Sequence, residues 1–161
     1  MSKKRIIISV ADARVSNDPE DILVIYSLGS CIGACLYDPV VRIGGMLHYQ
    51  LPDSKINKEK AKEKPFMFAD SGMEVLMKKL LSMGATKKRM QIKVAGAATM
   101  YIGTQKFDIG KRNHLAIRRI LWKEGMLLNA EDIGGTSPRH MYLNIANGTV
   151  IVKTNGLEKR L

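Results

Sequence analysis

Acidic residues are in short supply: 15 Asp and Glu stand against 26 Lys and Arg, for a formal charge of +11. Cysteine, aromatic residues and long apolar runs are scarce too, and each scarcity excludes something. Two cysteines, Cys31 and Cys35, are too few for a disulfide scaffold and have no partners at metal-ligand spacing. On one strand they point to the same face at i and i+4, with Cα atoms about 13 Å apart, beyond disulfide reach. Aromatics are 6% of the chain, so few interleave the basic residues. With no recognised nucleic-acid motif either, charge alone does not make a nucleic-acid binder. It describes a solvated basic surface, or one that steers an acidic partner. No segment approaches the ~18 apolar residues of a membrane-spanning helix, so no membrane insertion is expected. The basic start Met1-Ser2-Lys3-Lys4-Arg5 leads into a short apolar run, 6–10, that meets Asp12 instead of a small-residue cleavage site. That speaks against a signal peptide and makes the cytoplasm the expected compartment. No Gly-Ser linker, low-complexity tract or internal repeat divides the 161 residues, which fit one domain, 1–161.

Hydrophobic residues make up 45% of the chain, enough to bury a core. Residues 6–10 are β-branched and read as a strand, with Asn17-Asp18-Pro19-Glu20 as a turn. Residues 22–27, 31–37 and 43–51 read as three more strands. Residues 55–64, with five lysines and two glutamates, read as a solvated loop or frayed helix, or as a docking patch for an acidic partner. Ser71-Gly72-Met73-Glu74 has capping-box spacing, and a helix there can start a turn earlier, near Phe66. Met73, Leu76, Met77, Leu80 and Leu81 then give it one apolar face, and Gly84 ends it. Residues 91–95 are strand-like. Gly96-Ala97-Ala98 follows and reads as a bend or close backbone packing, since it lacks the Lys-Ser/Thr of a phosphate-binding loop. A second helix runs from Asp108 or Gly110 to about Glu124, apolar at Leu115, Ile117, Ile120 and Leu121. Lys111, Arg112, Arg118, Arg119 and Lys123 make it strongly basic. Residues 127–133, 140–145 and 149–154 are three further strands, the last two joined by Asn147-Gly148, a hairpin signal. His114 reads as a surface or boundary residue and His140 as structural or exposed. About eight strands clustered at both ends, with two helices between, favour an α+β arrangement.

The chemistry concentrates in Leu28-Gly29-Ser30-Cys31 and in His48. Gly29 permits a tight corner before the cysteine, and such a corner can aim the backbone N–H groups of Ser30 and Cys31 at one point, where an oxyanion is held. The apolar run after Cys31 turns at Asp38-Pro39 and returns through Gly44-Gly45 to the segment that carries His48. Two strands joined by a short connection lie side by side, so a thiol on one and an imidazole on the other can meet. That is the minimum kit for cysteine nucleophilic catalysis. A free thiol is mostly protonated at neutral pH, which is why a nearby base matters. Cys35, embedded in the apolar run, reads as a small core residue.

Taken in order, Leu28-Gly29-Ser30-Cys31, Leu36-Tyr37-Asp38-Pro39, Gly44-Gly45-Met46, His48, Leu51-Pro52-Asp53, Phe107-Asp108-Ile109-Gly110-Lys111-Arg112-Asn113 and Gly134-Gly135 followed by Arg139 resemble the CheD family of bacterial chemoreceptor glutamine deamidases. The resemblance covers roughly residues 22–152. It implies two packed, largely antiparallel sheets with two main helices against them, and a distant likeness to the cytotoxic necrotizing factor deamidases. It maps the family's catalytic cysteine and histidine onto Cys31 and His48, and calls for neither cofactor nor metal. It implies the acidic cytoplasmic helices of chemoreceptors as substrate and a CheC-type phosphatase as a further partner. A binding module with weak or no catalysis is the alternative the family allows. CheD proteins usually carry a threonine six residues before the cysteine, held to assist the histidine; here that position is Ile25. Period-2 alternation puts Ser27 on the face of Ile25, which makes Ser27 the candidate to take over.

Overall fold

The computed structural model describes residues 3–102 and 105–161; Met1 and Ser2 of the basic N-terminus lie outside the described residues. Among those described there are twelve strands and three α-helices. The strands β1 (Lys4–Ile7), β3 (Asp21–Leu28), β10 (Arg139–Asn144), β11 (Val150–Thr154) and β12 (Leu157–Arg160) form one sheet in the order β1-β3-β10-β11-β12. A second sheet has the order β2-β5-β4-β6-β9, from β2 (Asp12–Ser16), β5 (Ile43–Tyr49), β4 (Ile32–Asp38), β6 (Gln91–Gly96) and β9 (Ala130–Ile133). Both are mixed: β1 runs parallel to β3 and β6 parallel to β9, and the remaining pairs are antiparallel. A small hairpin, β7 (Met100–Ile102) with β8 (Gln105–Phe107), stands apart. The helices are α1 (Lys58–Glu63), α2 (Ala69–Ser82) and α3 (Ile109–Lys123).

The second sheet is the middle layer. One face meets the first sheet through Leu23, Ile25, Leu28, Cys35, Met46, Met141 and Leu143. The other meets the helices through Ile32, Leu36, Leu47, Tyr49, Met73, Leu76, Leu80, Ile117 and Leu121. Every residue of β4 and β5 is therefore buried, which is why both read as nearly unbroken apolar runs rather than alternating ones.

Four strands exceed the eight expected. β2 is polar and edge-like, β12 is wholly exposed, and β7 and β8 have three residues each, too short for periodicity to register. Gly44 and Gly45 lie inside β5, each because a facing layer leaves no room for a Cβ. At Gly44 it would come within 2.9 Å of Tyr37, and at Gly45 within 2.8 Å of Leu76. The charged stretch after Asn57 is helical, and Asn57 caps it by accepting from Lys60 N–H at 3.0 Å. The capping box fails: α2 starts at Ala69, and Ser71, inside the helix, donates to the Pro65 carbonyl at 2.6 Å. The methionine-rich stripe is core along Met73, Leu76 and Leu80. Its margin, Met77 and Leu81, lines a groove against Ile120 and Met126.

Candidate active site

Cys31 follows the bend after β3 and immediately precedes β4. The antiparallel β4–β5 register pairs Ile32 with Tyr49 and Gly33 with His48. Residues two apart on a strand share a face, as do directly opposed residues on neighbouring strands. Gly33 packs on Met141, Leu28 and Ile25, so this is the face toward the first sheet. Cys31 packs on the same core. The two sequence-predicted residues thus lie on the face of the second sheet turned toward the first, at one end of β4 and β5. Cys31 is half-buried and His48 is 7% exposed.

His48 Nδ1 lies 3.3 Å from the Ile8 carbonyl oxygen. A carbonyl only accepts, so Nδ1 carries the proton and Nε2 is left as the basic nitrogen of the neutral ring. Burial pushes the imidazole below its ordinary value, partly opposed by that hydrogen bond. Burial also pushes the Cys31 thiol up. Both effects favour a neutral thiol and a neutral imidazole over a charged pair. Asp12 faces His48 across the β2–β5 pair, but its carboxylate is engaged by Arg14 Nε at 3.3 Å.

The corner is held by its carbonyls. Ala98 N–H donates to the Gly29 carbonyl at 2.9 Å, and Ala97 N–H to the Cys31 carbonyl at 3.0 Å. Asn113 Nδ2 donates to the Ser30 carbonyl at 3.0 Å and to the Gln50 carbonyl at 2.9 Å. In a planar trans peptide the N–H points opposite to the preceding C=O. Pinning the Gly29 and Ser30 carbonyls therefore turns the N–H groups of Ser30 and Cys31 away from these anchors. Among the described residues neither N–H has a backbone acceptor outside the strands.

The anchors come from elements far away in sequence. Asn113 is fully buried on α3, and Tyr49 OH fixes its backbone by donating to its carbonyl at 2.6 Å. Gly96 sits at φ +120°, and a Cβ there would lie 2.1 Å from the Cys31 carbonyl oxygen. A Cβ on Gly110, at the start of α3, would lie 2.6 Å from the Ala98 carbonyl oxygen. Behind them, Arg139 Nη1 donates to the Asp132 carbonyl at 2.9 Å and to its carboxylate at 2.7 Å. Its Nη2 donates to the carbonyls of Gly134 and Ser137. The loop it holds braces residues 96–99: Gly134 N–H donates to the Gly96 carbonyl at 3.0 Å, and Thr99 N–H to the Gly135 carbonyl at 2.8 Å. Of these supports, chemical reading of the sequence finds only the close backbone packing at Gly96-Ala97-Ala98. The runs ending in Asn113 and Arg139 were visible only as part of the family resemblance.

The alternation that puts Ser27 beside Ile25 does not hold. Between β3 and β10, Met141 pairs with Ile25 but Arg139 pairs with Leu28, so two residues, Tyr26 and Ser27, oppose His140 alone. This bulge turns Ser27 to φ +58° and outward, as an extra residue in one strand does. Its N–H donates to His140 Nδ1 at 2.9 Å, which gives His140 its structural role. Ile25 stays fully buried. The group that orients His48 is the Ile8 carbonyl. His114 is half-buried, with Nε2 2.8 Å from the Glu131 carboxylate. Cys35 is 1% exposed in the core between the sheets, where burial drives its thiol far up. Among the described residues no cluster of His, Cys, Asp and Glu is arranged to hold a metal, and no helix is long and apolar enough to cross a membrane.

Residues 50–154 match the family model CheD, described as chemotactic sensory transduction. That segment holds Asn113 and Arg139 but starts after Cys31 and His48. Relatives of near-full length cover the rest. A Solibacter usitatus protein named probable chemoreceptor glutamine deamidase CheD is 48% identical over 98% of this chain and 94% of its own. A Syntrophus aciditrophicus protein, probable chemoreceptor glutamine deamidase CheD 1, is also 48% identical, over 94% of each chain. Among solved structures, a Neisseria meningitidis protein of the family DUF152 overlays with a TM-score of 0.42 at 16% identity, over 78% of this chain and 52% of that one. The present chain thus spans about half the length of that protein.

Proposed function

The chain belongs to the CheD family, and from that premise we propose that it is a chemoreceptor glutamine deamidase working through Cys31 and His48. Its 161 residues act as one deamidase domain in the cytoplasm, on the cytoplasmic helices of chemoreceptors. The observation that carries the catalytic reading is the shared sheet face, with Cys31 on a pinned corner at the start of β4 and His48 on β5, directly opposite Gly33.

Deamidation of glutamine is acyl transfer. Cys31 Sγ attacks the carboxamide carbon while its proton passes to His48 Nε2. Negative charge gathers on the carboxamide oxygen, where the N–H groups of Ser30 and Cys31 receive it. His48 returns the proton to the nitrogen as the C–N bond breaks, and ammonia leaves. The thioester is then hydrolysed by a water that gives a proton to the same imidazole, releasing glutamate and restoring the thiol. A neutral imidazole suits both halves: it must first accept a proton and then donate it. The same route would hydrolyse a glutamyl methyl ester.

The test is mass spectrometry of receptor cytoplasmic fragments incubated with the protein. A gain of about one dalton at glutamines, lost in Cys31→Ala, is the expected result. Capture of receptor or of a CheC-type phosphatase with no mass change would favour the binding-module alternative.

A further inference from the structure

Gly29 opens the corner that carries Cys31, and the place where its side chain would stand is already taken. A Cβ on Gly29 would lie 3.5 Å from Met100 Sδ and 3.9 Å from Met100 Cε. The thioether of Met100 is therefore packed against the corner, two residues before the sulfur. Met100 begins β7 and is fixed through the residues just before it. Ala98 N–H donates to the Gly29 carbonyl at 2.9 Å, and Thr99 N–H to the Gly135 carbonyl at 2.8 Å. The backbone that pins the corner thus also sets Met100 beside it. Yet Met100 is 45% exposed, so much of its side chain is free to meet something else. Tyr101, next along β7, points to the other side of the strand.

We infer that Met100 is a specificity-determining residue: it receives the substrate side chain one helical turn from the glutamine under attack and selects an apolar one. The inference rests on the deamidase reading and adds which neighbour of the glutamine is read. Two residues of chain span at most about 7 Å, which bounds the distance from Cys31 back to Gly29. Side chains three or four positions apart on a helix stand about 5–6 Å from one another. With the carboxamide at Cys31, a side chain one turn away therefore reaches the surface beside Gly29, where the thioether is. A methionine is unbranched and polarizable, so it packs against small apolar groups of varied shape. It offers nothing to a charge. An acid or a base held against it would lose water without gaining a hydrogen bond.

The test uses the full chain and a recombinant cytoplasmic fragment of a chemoreceptor. The fragment is made in three versions, with alanine, glutamate or lysine one helical turn from a modified glutamine, on each side in turn. Wild type should turn over the alanine version with the highest kcat/KM. Met100→Lys should move the glutamate-to-lysine ratio of kcat/KM toward glutamate by about fivefold or more, and Met100→Glu should move it as far toward lysine. Each ratio compares fragments on one and the same variant, so loss of folded protein cancels. Met100→Ala gives an uncharged check: with the thioether gone, preference should move from alanine to leucine at the same fragment position. Met100→Leu, of similar volume, should stay within about twofold of wild type. If wild type modifies the fragments and no Met100 variant changes their ratios, Met100 does not meet the substrate; the inference falls and the deamidase reading stands. If wild type modifies none of the fragments, the deamidase reading falls and the inference with it.

Discussion

Replacing Gly96 by alanine should disable the enzyme without touching a residue that meets the substrate. The added Cβ would lie 2.1 Å from the Cys31 carbonyl oxygen, where real Cβ contacts essentially never come under 3.0 Å. The carbonyl must retreat by nearly an ångström, and it belongs to the residue that carries the sulfur. Displacement on the order of 1 Å in a reacting group lowers rates by about 10²-fold. The backbone adds its own term: φ of +120° is strained for a side-chain-bearing residue, by about 1–3 kcal/mol. Weakening the Ala97 N–H to Cys31 carbonyl bond adds about 1 kcal/mol. Gly84 supplies the control. It sits at φ +109° with nothing within 4 Å of a Cβ, so alanine there brings the strain without the clash. Thermal unfolding by circular dichroism should show both variants destabilised. Fragment deamidation followed by mass spectrometry should show only Gly96→Ala impaired, well below its melting temperature. A folded Gly96→Ala protein with wild-type kcat would refute the claim that this glycine sets the position of Cys31.

Cys31→Ala should leave a folded and inactive protein, whereas Cys35→Ala should lose about 1–2 kcal/mol of stability and keep its turnover; an inactive Cys35→Ala protein would mean the nucleophile is misassigned. His48→Ala should lower turnover by about 10²–10⁴-fold. Because burial holds His48 below its ordinary value, the acid limb of kcat/KM should fall below about pH 6.5. The sign for stability follows: the unfolded chain takes up this proton first, so the contribution of His48 is intact above the unfolded value and is lost as pH falls through the folded one. An acid limb above the ordinary histidine range would contradict the buried, neutral ring. Asn113→Ala leaves the Ser30 and Gln50 carbonyls without their donor, at about 1–3 kcal/mol each. Asn113→Asp sets a carboxylate against both oxygens and should be worse, in denaturant midpoint and in kcat; an Asn113→Asp enzyme as active as wild type would remove the clamp from the mechanism.

What the sequence by itself determined is what local spacing encodes. The second long helix was legible because Asp108 and Glu124 bracket a 3.6-residue pattern and Gly125 follows it. The strand pair carrying Cys31 and His48 was legible because two apolar runs flank one short turn, and short connections between strands force antiparallel neighbours. The α+β class followed from the order of those patterns. What only the tertiary structure decided depends on partners distant along the chain. Ser27 points outward because a bulge forms against His140, 113 positions later, and no period-2 pattern carries that information. The Ile8 carbonyl selects the tautomer of His48 only because the segment between β1 and β2 runs past that residue, where Ala11 N–H also donates to the His48 carbonyl. Asn113 becomes a clamp only because α3 packs where the Ser30 and Gln50 carbonyls converge. Gly96 reads in the sequence as a bend or a place of close backbone packing, but that the group packed against it is the Cys31 carbonyl is decided by the fold. Periodicity reports which face of an element is buried; which backbone groups meet there is decided by long-range packing, and here that packing builds the corner on which the cysteine stands.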